Sequence, residues 1–236
     1  MRKAIAPCAD AESSREKLFI SAERLFADHG FDGVSVRDIA NAACVNSALV
    51  GYYFGGKLGL LAEVYTRHCT PLNHERLRLL KEFSRGNDGP TLEQVLEAFI
   101  NPSLEVTVDQ SGRSNFIRLR TILSAENSAL LEQLISESFD QSSGMFVEAL
   151  CGCLPHLTRD DVLWRFHFLL GAIYYTGAGW HRIRDLSEGR CDPTEAAATA
   201  AEMIPFLAAG FRAPRVQRIA MEEAAGSRRG GIDRAR

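Results

Sequence analysis

The stretch from Ser35 to Lys57, SVRDIANAACVNSALVGYYFGGK, constrains the fold of this chain more than any other. Ser35 and Asp38 stand in capping-box register, so a short helix opens there and runs to about Ala43, with Val36, Ile39 and Ala40 facing inward. Cys44-Val45 makes a turn, Asn46 suits the N-cap of a second helix over Ser47–Phe54, and Gly55-Gly56 stops it. Lys57 then begins a long helix with Leu60, Leu61, Val64 and Tyr65 on one stripe. Two short helices across a tight turn have the size of a helix-turn-helix, whose second helix enters a DNA major groove.

The flanking sequence is helical throughout. Residues 1–12 carry no periodic pattern and are expected to form a flexible arm. Ser13 and Glu16 form a capping box for a helix with Leu18, Ala22, Leu25 and Phe26 on one face, ended by His29-Gly30. Pro71 is expected to kink or briefly break the helix from Lys57, and SRGNDGP (84–90) is a loop. Thr91 caps a helix that Asn101-Pro102 interrupts, and further helices start near Ser114 and Ser128, the second reaching roughly Leu150. Thr158 and Asp161 cap the most apolar segment, VLWRFHFLLGAIYYTGAGW. Asp192-Pro193 supplies an N-cap and a proline at N1 for the last helix, which ends near Phe211. The expected fold is all-α with about nine helices. It divides into the arm (1–12), a helix-turn-helix domain (13–56), a larger body (57–211) and a disordered basic tail (212–236).

Composition narrows the function. Apolar residues make up 46% of the 236, enough to bury a sizeable core. The net charge is −3, and within residues 1–60 seven basic side chains balance seven acidic ones. A nucleic-acid role therefore rests on where the cations point rather than on bulk charge. The six cysteines form no CxxC, and Cys151–Cys153 has no nearby His, so neither a metal site nor a cofactor is expected. With no signal-peptide core and no apolar run near ~18 residues, the expected location is the cytoplasm, with no membrane partner.

From Leu25 to Leu61 the chain resembles the N-terminal domain of the TetR family of bacterial transcriptional regulators. The matching pieces are the aliphatic-Phe pair before His29-Gly30-Phe31, then Ser35-Val36-Arg37-Asp38-Ile39-Ala40, Val45, Tyr53-Phe54 and Lys57. The resemblance implies a homodimer that binds a palindromic double-stranded operator, most often as a repressor, and is released by a small effector. The DNA-contacting residues it implies are Ser35, Val36, Arg37, Asn46, Ser47, Ala48, Leu49, Gly51, Tyr52, Tyr53 and Lys57. Two positions depart from the family pattern: Cys44 stands where Gly is usual and Gly51 where an aromatic is common. Val45, Val50 and Phe54 are expected in the core.

Phe116-Ile117-Arg118-Leu119, the segment 163–168 and the segment 204–210 resemble a subgroup of that family that includes fatty-acid-responsive members. An apolar effector of fatty-acid or acyl type is the corresponding expectation. Phe99, Phe116, Phe139, Tyr174 and Trp180 are candidate lining residues. Arg118, on an apolar helix, needs either an acidic partner such as Glu126 or Glu148 or an anionic ligand. His167 is expected to be packed and hydrogen-bonded. The last two helices are expected to pair with their copies, with Trp164, Phe168, Ala200, Met203 and Leu207 in the seam.

Two rival readings come from other chemistry. An enzyme would need a recognisable constellation, and there is no GxSxG, no phosphate-cradling glycine loop and no HExxH. A thiol- or electrophile-sensing regulator of the same fold would use Cys44, Cys69 or Cys151.

Overall fold

Helices are the regular elements of the described residues, which are 10–86, 89–105, 115–125 and 128–215 of a computed structural model. In chain order they are α1 (Asp10–His29), α2 (Val36–Ala42), α3 (Ala48–Phe54), α4 (Lys57–Phe83) and α5 (Leu92–Glu105), then α6 (Asn115–Ala125), α7 (Ala129–Cys153), α8 (Arg159–Ala178), α9 (Trp180–Leu186) and α10 (Ala196–Arg212). The fold is all-α, as expected, with ten helices among the described residues rather than nine. The added one is α9, a single exposed segment too short to show a period. Most of the expected arm, residues 1–9, and most of the tail, 216–236, lie outside the described residues. Helix α1 begins at Asp10, ahead of the expected cap at Ser13, whose side chain is also outside them.

Neither Pro71, expected to kink or briefly break its helix, nor Asn101-Pro102, expected to interrupt one, ends a helix. Helix α4 runs unbroken through Pro71, and α5 through Asn101-Pro102. A mid-helix proline costs about 3 kcal/mol. Leu60, Leu61, Val64 and Tyr65 before Pro71, and Leu72 and Leu80 after it, are all buried on one stripe of α4. At about 1.5–3 kcal/mol per buried side chain, that face outweighs the local penalty. Pro71 is exposed, as is Arg67, whose carbonyl it leaves without its helical donor. Helix α10 starts at Ala196 instead of at Pro193. Asp192 Oδ1 accepts from the Thr194 amide at 3.0 Å and the Thr194 hydroxyl at 2.7 Å. The capping side chain thus closes its own turn ahead of the helix.

Two apolar cores follow. One joins the end of α4 with α5, the C-terminal part of α7, α8 and α10. The other holds Leu18, Phe26, Ile39 and Val50 of the first three helices. It continues through Leu60, Leu61 and Val64 into Phe116, Leu119 and Leu123 of α6 and Leu131 and Phe139 of α7. The N-terminal head therefore has no core of its own. It shares one with α4 and α6, and α6 packs directly on α1.

Candidate functional site

The head is shaped by its caps. Ser35 and Asp38 form the full capping box: Asp38 N donates to Ser35 Oγ at 3.2 Å, and Ser35 N donates to Asp38 Oδ2 at 2.9 Å. The Ser35 hydroxyl also donates to that carboxylate at 2.6 Å, and these bonds, the side-chain one foremost, hold Asp38 below the usual carboxylate range. Helix α2 ends in a Schellman motif, with Val45 N donating to Ala40 O and Cys44 N to Asn41 O. Cys44 occupies the left-handed position with φ 55°. The turn thus keeps its geometry despite lacking glycine. An L side chain at positive φ costs about 1–2 kcal/mol, part of which glycine's extra unfolded-state entropy offsets. Cys44→Gly should accordingly raise the unfolding free energy by about 0.5–1 kcal/mol, seen as a higher urea midpoint at unchanged slope. A lower midpoint would show the cysteine side chain to be stabilising.

Helix α3 is started by Asn46, whose Oδ1 accepts from Ala48 N at 2.9 Å. Val50 is fully buried, and Leu49, Tyr53 and Phe54 lean half-buried on the shared core. Ser47, Ala48, Gly51 and Tyr52 face outward, Tyr52 being 79% exposed. A Cβ at Gly51 would meet nothing within 4 Å, so its own fold does not require glycine there. Gly59 is different: a Cβ there would fall 1.8 Å from the Phe54 carbonyl oxygen, because the first turn of α4 crosses the end of α3. Arg37 is exposed at the start of α2 beside Ser35, with Val36 half-buried against the core.

Lys57 is not a free surface cation. Its Nζ donates to Phe31 O at 2.8 Å and Val34 O at 3.0 Å, and lies 4.0 Å above the Phe31 ring. It is a strut for the α1–α2 loop. Cross-links from α4 and α6 to α1, absent from the sequence reading, surround this region. Arg15 meets Glu63 at 2.7 Å, Arg67 grips both Glu16 oxygens at 2.7 and 3.0 Å, and His68 Nε2 lies 3.3 Å from Glu23. Arg118 of α6 meets Asp28 of α1 at 3.1 Å. Its expected partners are elsewhere: Glu148 pairs with Arg159, and Glu126 lies outside the described residues.

The buried arginines are Arg76 and Arg120 instead. They border a small cavity of about 10 Å³ lined by Leu72, Arg76, Ser103, Phe116, Arg120, Ile173 and Tyr174, space for about one water. Arg76 donates from Nε to Phe99 O at 3.1 Å and from Nη2 to Ser103 Oγ at 2.6 Å, over the Phe99 ring. Burial pulls its guanidinium down to about 9, still charged at neutral pH. Arg120 lies 3.8 Å above the Phe139 ring and 4.4 Å from that of Tyr174. Of the expected lining residues, Phe116 and Tyr174 border the cavity, while Phe99 and Phe139 back the two guanidiniums. The Trp180 side chain lies outside the described residues. Helical phase carried the missed signal: Phe116, Leu119, Arg120 and Leu123 share one face, as do Leu72, Arg76 and Leu80.

On the opposite side of α8, Trp164 and Phe168 are exposed in line with Gly171 and Tyr175. Ala200, Met203 and Leu207 are buried against the core of their own subunit. His167 is exposed beside Trp164 rather than packed. Burial pushes the Cys69 thiol up to about 12. Among the described residues no group of three or more His, Cys, Asp and Glu is placed to hold a metal, and no helix is long and apolar enough to cross a membrane.

These features match one family from both ends. Residues 18–64 match the family described as bacterial regulatory proteins, tetR family, and residues 97–210 match the tetracyclin repressor-like C-terminal domain. The chain belongs to the TetR family of bacterial transcriptional regulators. It is 51% identical over 49 residues to the probable HTH-type transcriptional regulator YttP of Bacillus subtilis, a match spanning 21% of this chain and 24% of that protein's length. Its fold is similar to that of the fatty acid degradation regulator FadR from Bacillus halodurans, with TM-score 0.62 at 16% identity, covering 89% of this chain and 99% of the other. FadR from Bacillus subtilis, solved in complex with stearoyl-CoA, gives 0.62 at 17% identity over 83% and 98% of the two chains.

Proposed function

We propose that the chain is a ligand-released repressor, acting in the cytoplasm as a homodimer on a palindromic operator. Helix α3 enters the major groove, with Ser47, Ala48 and Tyr52 outward and Arg37 gripping the backbone beside the α2 N-terminus. Tyr53 and Leu49 reach the same surface from half-buried positions. A small, largely apolar effector in the C-terminal domain moves α4 and α6 and thereby the spacing of the two heads. The observation that carries this is the shared core: Phe116 and Leu119 of α6 and Val64 and Tyr65 of α4 pack with Phe26 and Ile39 of the head. A ligand acts only through its different affinity for the two arrangements.

The test separates contact from support. Arg37→Ala should weaken binding to every DNA sequence and lower the salt slope by about one. Lys57→Ala should instead lower stability by about 1–3 kcal/mol, since both its hydrogen bonds hold loop carbonyls. Binding-site selection followed by salt-dependent titration reads the first, and thermal melting the second. A ligand-free wild type that selects no sequence at low salt would end the repressor reading. The thiol-sensing alternative has less support, since Cys69 is buried and Cys151 half-buried, leaving Cys44 as the exposed member of the three.

A further inference from the structure

The small cavity is bordered by a buried guanidinium with donors to spare, Arg76, and by a buried hydroxyl, Tyr174. A guanidinium carries five N–H donors. Arg76, itself 2% exposed, uses two of them, on Phe99 O and Ser103 Oγ, and no carboxylate among the described residues pairs with it. The hydroxyls of Tyr65 and Tyr174 are buried with no hydrogen-bond partner among the described residues. The Arg120 side chain, 7% exposed, borders the same space. Arg76 and Arg120 are close enough to repel one another, and both act on the Tyr174 hydroxyl. The Arg76 guanidinium, with donors to spare, and the two unpartnered hydroxyls are costly to bury, and an anion seated against Arg76 and Tyr174 relieves both costs at once. The rest of the lining, Leu72, Phe116 and Ile173, is apolar.

We propose that this cavity is the head-group site of the effector, seating the carboxylate of an otherwise apolar molecule between Arg76, Arg120 and the Tyr174 hydroxyl. This rests on the reading of the C-terminal domain as effector-binding. The cavity as it stands admits about one water. A carboxylate with a hydrocarbon tail therefore fits only a second arrangement in which the neighbouring helices part. Such a ligand necessarily discriminates between two states, which is what release requires. The two guanidiniums sit on α4 and α6. The same two helices hold α1 through Arg67–Glu16, His68–Glu23 and Arg118–Asp28. Phe116 joins the two ends, since it lines the cavity and stacks on His68 at 4.9 Å. Seating an anion thus acts on both struts of the head together.

The experiment titrates the full-length protein at neutral pH with octanoate, 1-octanol and acetate, reading binding by calorimetry and release of selected operator DNA. Octanoate should bind at least about tenfold tighter than octanol, because a charge-assisted pair is lost in the alcohol. Tyr174→Phe should cut that preference several-fold with the fold intact, and Arg76→Gln should abolish it. The tyrosine variant decides the matter if Arg76→Gln does not fold. Equal binding of octanoate and octanol, an unchanged preference in Tyr174→Phe, or acetate alone giving the full response would each overturn the proposal. So would no response to any probe by a wild type that still selects its operator, a result that leaves the repressor reading standing.

Discussion

Phe168→Glu should leave the protein monomeric and unable to hold its operator. Trp164, Phe168, Gly171 and Tyr175 recur along α8 at intervals of four, three and four, the spacing of a helix–helix seam. All four are exposed, with Phe168 at 60% and Tyr175 at 65%. Nothing lies within 4 Å of a Cβ added at Gly171, so a second helix meets no side chain at that point. Around a two-fold axis each substitution is felt twice. Losing two buried phenylalanine faces at about 2–3 kcal/mol each, and placing two carboxylates in their stead, should weaken the dimer by at least about 5 kcal/mol. That is more than about a thousandfold in dissociation constant. A monomer reaches a single half-site, so operator affinity should collapse alongside. Sedimentation and DNA titration on one preparation measure both. A Phe168→Glu protein that stays dimeric would place the seam elsewhere.

Phe116→Ala should have the largest effect on stability. The side chain is 2% exposed, edge-on to Tyr65 with ring centroids 5.4 Å apart and stacked on His68. Removing such a ring costs about 3–5 kcal/mol, since the walls around it collapse only in part. For a chain of this size that corresponds to a fall in melting temperature of about 10 °C. Because Phe116 belongs to the core shared with the head, DNA affinity should fall below the melting transition too. A shift under about 2 °C would mean that α6 is not a structural partner of the head.

The DNA-binding head was legible because its determinants are local. Ser35 caps Asp38 three residues on, Asn46 caps Ala48 two residues on, and the stop at Gly55 needs only its φ of 70°. Such signals act within one turn of chain and survive any tertiary context. Lys57 shows the limit. Its place at a helix start fits a phosphate contact, yet its partners are carbonyls 26 and 23 residues earlier. Arg118 and Arg120 are two residues apart on an apolar helix, and only packing shows that the first faces Asp28 and the second the interior. The prolines teach the same lesson in reverse, since the burial of a whole helical face overrides a local breaker.

By itself, then, the sequence determined the all-α class, the helix-turn-helix between Ser35 and Phe54, and the family that this motif marks. The first two rest on hydrogen bonds and apolar periodicity within a few turns, and the family on the resemblance carried by the residues from Leu25 to Leu61. Only the tertiary structure decided that head and body share one core, that Lys57 is a strut, and that two arginines from α4 and α6 converge on one cavity. Those outcomes depend on which faces of distant helices meet, and a buried charge has its meaning only from what is brought against it.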